Sequence, residues 1–305
     1  MTTFTSTTNG NLADGATYGN TSPGVRGTDF PGDDDVLIVD TGDTVTMTAD
    51  ATVGSVDIKG TLTTDGTART LTLDDGGQGY ICEHRGTVST TINLTINSNH
   101  AGDRLIRLNN GGNGNFNNVS ITLQSTSRKL TIGTEAASIG GNLTIAQGEF
   151  NTDSSNNYAL TVTGETQITG TLTCNDSDIS LGAALTSGWG FQINSGGTFN
   201  GGGGTHTIGS IRVVTYGTRT VTLTSGVTTI TSKNTSNGYT INLSTGATFN
   251  HGGGSVILTY DGDTNISLDG ATLAFNDLTY NALARTLTLE SPISCAGYLK
   301  ILAGT

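Results

Sequence analysis

The chain has 305 residues, of which 33% are hydrophobic and 12% charged, and its 13 Lys and Arg against 25 Asp and Glu leave a formal net charge of −12. That balance excludes the clustered basic surface on which phosphate is bound, so nucleic acid and an anionic membrane are set aside as partners. No apolar run is long enough to span a bilayer as a helix.

Residues 1–30 are polar, Gly-rich and without a hydrophobic period, and they predict an N-terminal adaptor or cap that shields the first rung of a periodic region starting at residue 31. The opening Met1-Thr2-Thr3-Phe4-Thr5-Ser6-Thr7 has neither a basic n-region nor an apolar h-region, which points to assembly inside a cell rather than export by the usual route. Asp33, Asp34 and Asp35 come after Pro31-Gly32 and read as a solvated turn entering the first strand, with a cation site as the other reading.

From residue 31 to 305 the pattern is that of short strands. Runs of four to seven residues alternate an aliphatic residue with Thr, as in Leu71-Thr72-Leu73, so that one side chain of each pair points inward and the next outward. Between the runs sit Gly, Asn, Asp and Ser, which accept left-handed corners. With 45 Gly and 3 Pro, glycine supplies those corners and proline stays out of strands whose N–H groups a ladder needs.

Repeats recur along this stretch. Phe-Asn stands at Phe116, Phe150, Phe199, Phe249 and Phe275, at intervals of 34, 49, 50 and 26, so three of the four are one or two multiples of about 25 residues. The segment Gly197–Thr205 matches Ala247–Ser255 at a constant offset of 50. Arg-Thr-Leu-Thr-Leu at Arg69 returns at Arg219 and Arg285, with a variant at Arg128, and Gly-x-Leu-x-Ile occurs at Gly141 and Gly297. The final Gly297–Thr305 stops in mid-coil, which predicts that the coil continues beyond residue 305 or is covered by another subunit.

A fixed period near 25 fits an all-β, right-handed, single-chain parallel β-helix, or β-solenoid, in which each coil adds one rung to two or three sheets. Tandem β-sandwich domains are the alternative; they repeat at about 100 residues. At ~4.8 Å per rung, about eleven coils give a rod about 50 Å long. Stacking then predicts an interior column of Phe beside a column of Asn that hydrogen-bonds along the axis.

Chemistry-bearing residues form no recognisable motif. Glycoside cleavage needs two facing carboxylates, and the five Glu residues, Glu83, Glu135, Glu149, Glu165 and Glu290, are scattered. His84, His100, His206 and His251 are scattered too, and Cys82, Cys174 and Cys295 have neither metal nor redox spacing. The Gly201–Gly204 run is a corner rather than a phosphate loop, because no Lys-Ser/Thr comes after it. Asp261, Asp263 and Asn265 place oxygens at alternate positions, as a calcium loop does, with Asp269 nearby; a turn rich in Asp and Asn has the same composition. Trp189 serves equally as an exposed sugar-stacking platform or as interior filler. No residue is assigned a catalytic, cofactor or metal role.

The stretches Pro31–Val39, Gly42–Met47 and Val53–Leu62, with the Arg-Thr-Leu-Thr-Leu and Gly-x-Leu-x-Ile units after them, resemble the opening of many Gly/Thr-rich β-helical proteins. Proteins of that kind are found among tailed-bacteriophage virion components and bacterial surface adhesins. The resemblance implies a non-enzymatic structural or attachment protein of a phage virion, such as a tail fibre, spike or capsid-decorating fibre. Its expected partners are other fibre subunits, in a homotrimer for a fibre, and a cell-surface glycan. The alternatives are a secreted polysaccharide-active β-helix enzyme and an adhesin.

Overall fold

A computed structural model of the chain describes residues 1–74, 79–108, 114–185, 187–214, 216–268, 273–282 and 285–303. These fall into two compact units, Met1–Gly141 with Gln147–Phe150, and Asn142–Ala146 with Asn151–Thr305. Both are all-β parallel solenoids, with about 11 turns in all at a spacing of roughly 23 residues. Among the described residues the only helical segment is the 3-10 turn Gly15–Tyr18, which Asp14 caps by accepting the Ala16 N–H at 3.0 Å.

Three sheets carry the described strands of unit 1 up to residue 132. In the first, Thr3–Thr5, Val36–Val39, Ser55–Ile58, Tyr80–His84, Arg104–Arg107 and Lys129–Ile132 pair in that order, every pair parallel. The second runs Gly10–Asn11, Thr44–Met47, Thr61–Thr64 and Thr87–Val88. The third runs Ala51–Val53, Arg69–Leu73, Ile92–Ser98 and Val119–Leu123. Parallel pairing begins at Thr3, so the non-periodic stretch 1–30 contributes strands to two sheets. Alternation works as the sequence predicts: Leu37, Val56, Cys82, Ile106 and Ile132 stack inward in register and are buried. Burying each such aliphatic side chain is worth about 1.5–3 kcal/mol.

Unit 2 repeats the plan. Its first sheet is Thr171–Thr173, Thr198–Asn200, Arg219–Thr222 and Ala247–Asn250. Its second is Leu160–Val162, Ile179–Leu181, His206–Ile208, Val227–Ile230, Ser255–Leu258, Asp277–Asn281 and Leu299–Ala303. The third contains Thr166–Ile168, Phe191–Ile193, Ile211–Val213, Tyr239–Leu243, Thr264–Leu268 and Leu287–Leu289. Phe199 and Phe249 share one inward column, with Val221 between them, so the offset of 50 is two turns of 22 and 28 residues. Phe275 packs edge-on against Phe249 at 6.2 Å.

Glycine fixes the matching corners. Gly202 has φ +70° and Gly252 has φ +68°, and a Cβ at either would overlap a backbone carbonyl oxygen, that of Asn175 or of Leu223. Only glycine meets both demands.

Three expectations change. Phe116 is buried but lies outside the Phe199 column, packed edge-on to His84 at 6.0 Å. The Asn residues after Phe do not form one continuous ladder: Asn200 stands between Thr173 and Thr222, and Asn250 comes after Thr222. Two of them do bond to another Asn, Asn117 donating to Asn93 at 3.0 Å and Asn151 accepting from Asn175 at 3.0 Å, and Asn118 also donates to Asn93 at 2.9 Å. The copies of Arg-Thr-Leu-Thr-Leu also fall on different sides, Arg69 opening a strand of the third sheet in unit 1 and Arg219 one of the first sheet in unit 2.

Candidate functional site

On the outer face of the first sheet in unit 1, parallel pairing brings charges together that are far apart in the chain. Asp57 faces Glu83 on the next strand, and Glu83 faces Arg107 on the one after. Arg85 lies one outward position beyond Glu83. Its guanidinium holds Asp57 through two bonds, at 2.5 and 3.2 Å, and reaches Glu83 at 3.4 Å. Arg107 continues the ladder to Glu83 at 3.8 Å and to Glu135 at 2.6 Å, and Lys59 approaches Asp57 at 3.7 Å. The hydrogen bond to Asp57 is the main reason the Arg85 pKa lies above its usual range. Three acids and three bases meet on one face, and their charges cancel.

Beside this ladder lies a recess of about 270 Å³, lined by Thr3, Val36, Ile38, Ser55, Asp57 and Glu83 together with Val56, Gly79 and Tyr80. Val36, Ile38, Ser55 and Asp57 share the outward parity of their strands, because Leu37, Val39, Val56 and Ile58 take the inward positions. Ser55 is 2% exposed and its hydroxyl has no hydrogen-bond partner in the protein. The Tyr80 ring packs over Gly133, where a Cβ would come within 2.6 Å of it.

Adjacent carboxylates on neighbouring strands are the arrangement that glycoside chemistry requires. Here one guanidinium, that of Arg85, is shared by both carboxylates. Glu83 and Glu135 are thus brought together, whereas Glu165 accepts from Gln167 at 3.1 Å and Glu290 accepts from Tyr239 at 2.8 Å, both in unit 2.

The remaining candidates resolve into structural roles. Asp261 pairs with Arg285 at 3.2 Å, Asp263 accepts the Thr286 N–H at 2.9 Å, and Asn265 donates to Glu290 at 3.3 Å. These three do not converge, and Asp269 lies outside the described residues. Among the described residues no group of three or more His, Cys, Asp or Glu side chains is placed to hold a metal. Asp35 accepts the backbone N–H groups of Thr2 and Gly32 at 2.6 and 2.9 Å, while Asp33 pairs with Arg26.

Trp189 is 5% exposed and lies under Arg212, whose guanidinium carbon stands 5.9 Å from the ring centroid, so it is filler rather than a platform. Cys82 and Cys174 are buried free thiols whose pKa burial pushes up, which makes them unreactive. His100 and His251, both half-buried, accept the backbone N–H groups of Gly102 and Gly253 at 2.9 Å.

His84 and His206 are fully buried. Burial lowers the pKa of both, for His206 to about 4, with the backbone of Gly201 and the charge of Asp178 opposing only in part. The available signal in the sequence was parity: His206 stands two residues before the inward Ile208, and His84 two residues after the inward Cys82. Sequence reasoning missed the pairing of Asp57 with Glu83 and Arg85 because no local motif marks a contact 26 residues apart. No protein-family model, no curated protein and no solved structure matches the chain.

Proposed function

We propose that the chain is a non-enzymatic structural and attachment protein, and a tailed-bacteriophage virion component such as a tail fibre, spike or capsid-decorating fibre. The observation that carries the structural part is the charge ladder. Its acids are held by arginine partners, an arrangement that fits a structural face. Beneath the surface, parallel rungs pair backbone to backbone, a construction suited to a chain that must resist unfolding for long periods.

The virion assignment rests on the resemblance of residues 31–62. Its partners are other fibre subunits, in a homotrimer, and a surface glycan, with the virion assembled in the host cytoplasm. The test is compositional. Phage particles purified from lysed host cells should contain the chain in stoichiometric amount by mass spectrometry, and a preparation without it overturns the virion reading.

The proximity of Asp57 and Glu83 keeps a second reading, a polysaccharide-cleaving enzyme, worth a direct assay. Incubation with polysaccharides should release no reducing ends. Release that disappears in Glu83→Gln would establish the enzyme instead.

A further inference from the structure

We propose that the recess on the outer face of unit 1 binds a neutral sugar residue, with Ser55, Asp57 and Glu83 taking its hydroxyl groups. The inference rests on the attachment reading above and gives it a ligand class.

Ser55 carries the argument. Its hydroxyl is buried, lies on the recess side of its strand and has no partner in the protein. Buried polar groups are almost always hydrogen-bonded, so a lone hydroxyl beside a cavity marks a place where something else supplies the bond. Asp57 faces Glu83 directly on the neighbouring strand, and both carboxylates line the same recess as strong acceptors.

The charges then select the occupant. Lys59, Arg85 and Arg107 balance Asp57, Glu83 and Glu135, so an ammonium or a carboxylate on the ligand would gain nothing without breaking an ion pair. A neutral polyol needs no such exchange. Val36 and Ile38, aliphatic residues at outward positions, lie beside Ser55 and Asp57 on the adjacent strand and add an apolar side to the recess. A pyranose offers that same division, with C–H groups on its faces and hydroxyls around its rim. The volume, about 270 Å³, lies just below the ~300–1,000 Å³ of sites for drug-sized ligands, which suits one sugar residue rather than a chain.

The test is an amide-NMR titration of the full chain with glucose, galactose and N-acetylglucosamine, with glucuronate and glucosamine as charged controls. At least one neutral sugar should shift the signals of Ser55, Asp57 and Glu83, and the charged sugars should not. Ser55→Ala should weaken that binding about five- to tenfold, the value of one hydrogen bond. The same variant should leave the denaturation midpoint unchanged or raised, because it removes an unpaired buried group.

Three results overturn the proposal: no shift with any neutral sugar, shifts with glucosamine alone, or wild-type affinity in Ser55→Ala. None of these bears on virion composition or polysaccharide cleavage, so the fibre reading stands or falls separately.

Discussion

The outer faces of the two first sheets share a backbone plan and differ in the charge they present. In unit 1 the outward column reads Ile38, Asp57, Glu83, Arg107, tied together by guanidinium groups. In unit 2 the outward positions of four successive strands are Thr171 and Thr173, Thr198 and Asn200, Thr220 and Thr222, Thr248 and Asn250, with no charge among them. Parallel pairing is a backbone matter, and the inward residues between these positions are Leu172, Phe199, Val221 and Phe249. The rung is therefore specified from inside, and the exterior is free to take either chemistry. One face depends on ion pairs that salt screens; the other depends on hydroxyls and amides that salt leaves alone.

The largest effect should come from removing what both faces rest on. Phe199→Ala takes a fully buried ring from contact with Phe191 at 4.7 Å, and should lower stability by about 3–5 kcal/mol in urea denaturation. A loss below about 1 kcal/mol would mean the column under the uncharged face does not hold it together.

Next is acid. Folded His206 titrates near 4 and its unfolded counterpart near 6.5, so between those values the unfolded chain binds the extra proton. Stability is complete above the higher value and declines as the pH falls toward the lower, by up to ~3 kcal/mol. His206→Leu should flatten that dependence in denaturation midpoints measured across the interval. An unchanged slope would remove His206 from the account.

A smaller effect separates the faces directly. Arg85→Met leaves Asp57 and Glu83 facing each other without their shared cation, and should cost about 1 kcal/mol at low salt. The deficit should shrink as salt rises from roughly 0.01 to 1 M, where the Debye length falls from about 30 to 3 Å. The smallest effect belongs to the other face. Thr220→Val should stay within about 0.5 kcal/mol at every salt concentration. If the threonine variant proves as salt-sensitive as the arginine one, the contrast between the two faces fails.

The architecture was legible because inward residues must repeat where turns stack. Phe199 and Phe249 stand in one column, and the paired glycine corners at Gly202 and Gly252 show why their whole neighbourhoods match. Handling the repeats as fixed 25-residue coils was less reliable. Among the described residues, register partners are separated by as few as 17 residues, from Thr44 to Thr61, and by as many as 35, from Gly10 to Val45. A strand motif such as Arg-Thr-Leu-Thr-Leu encodes a corner and then alternation, which any side of the coil can use, so its copies need not align. The recess was illegible for the same reason. Whether Asp57 meets Glu83 depends on how many residues the intervening corners absorb, and no spacing rule states that number in advance. Ser55 showed still less, since a serine without a partner looks like any other until its neighbours are in place.

That variable corner length has a practical side. Between the second and third sheets of unit 2, one turn crosses with only Gly209 and Ser210, while the next crosses with the eight residues Thr231–Gly238 and still delivers Tyr239–Leu243 into the same ladder. The longer crossing is closed by Asn234, whose side chain accepts the N–H groups of Ser236 and Asn237 at 3.0 and 3.3 Å. A foreign peptide spliced into that crossing would meet a neighbourhood already accustomed to extra chain, making Thr235–Asn237 an address at which epitopes or enzymes could be displayed without renumbering a single rung.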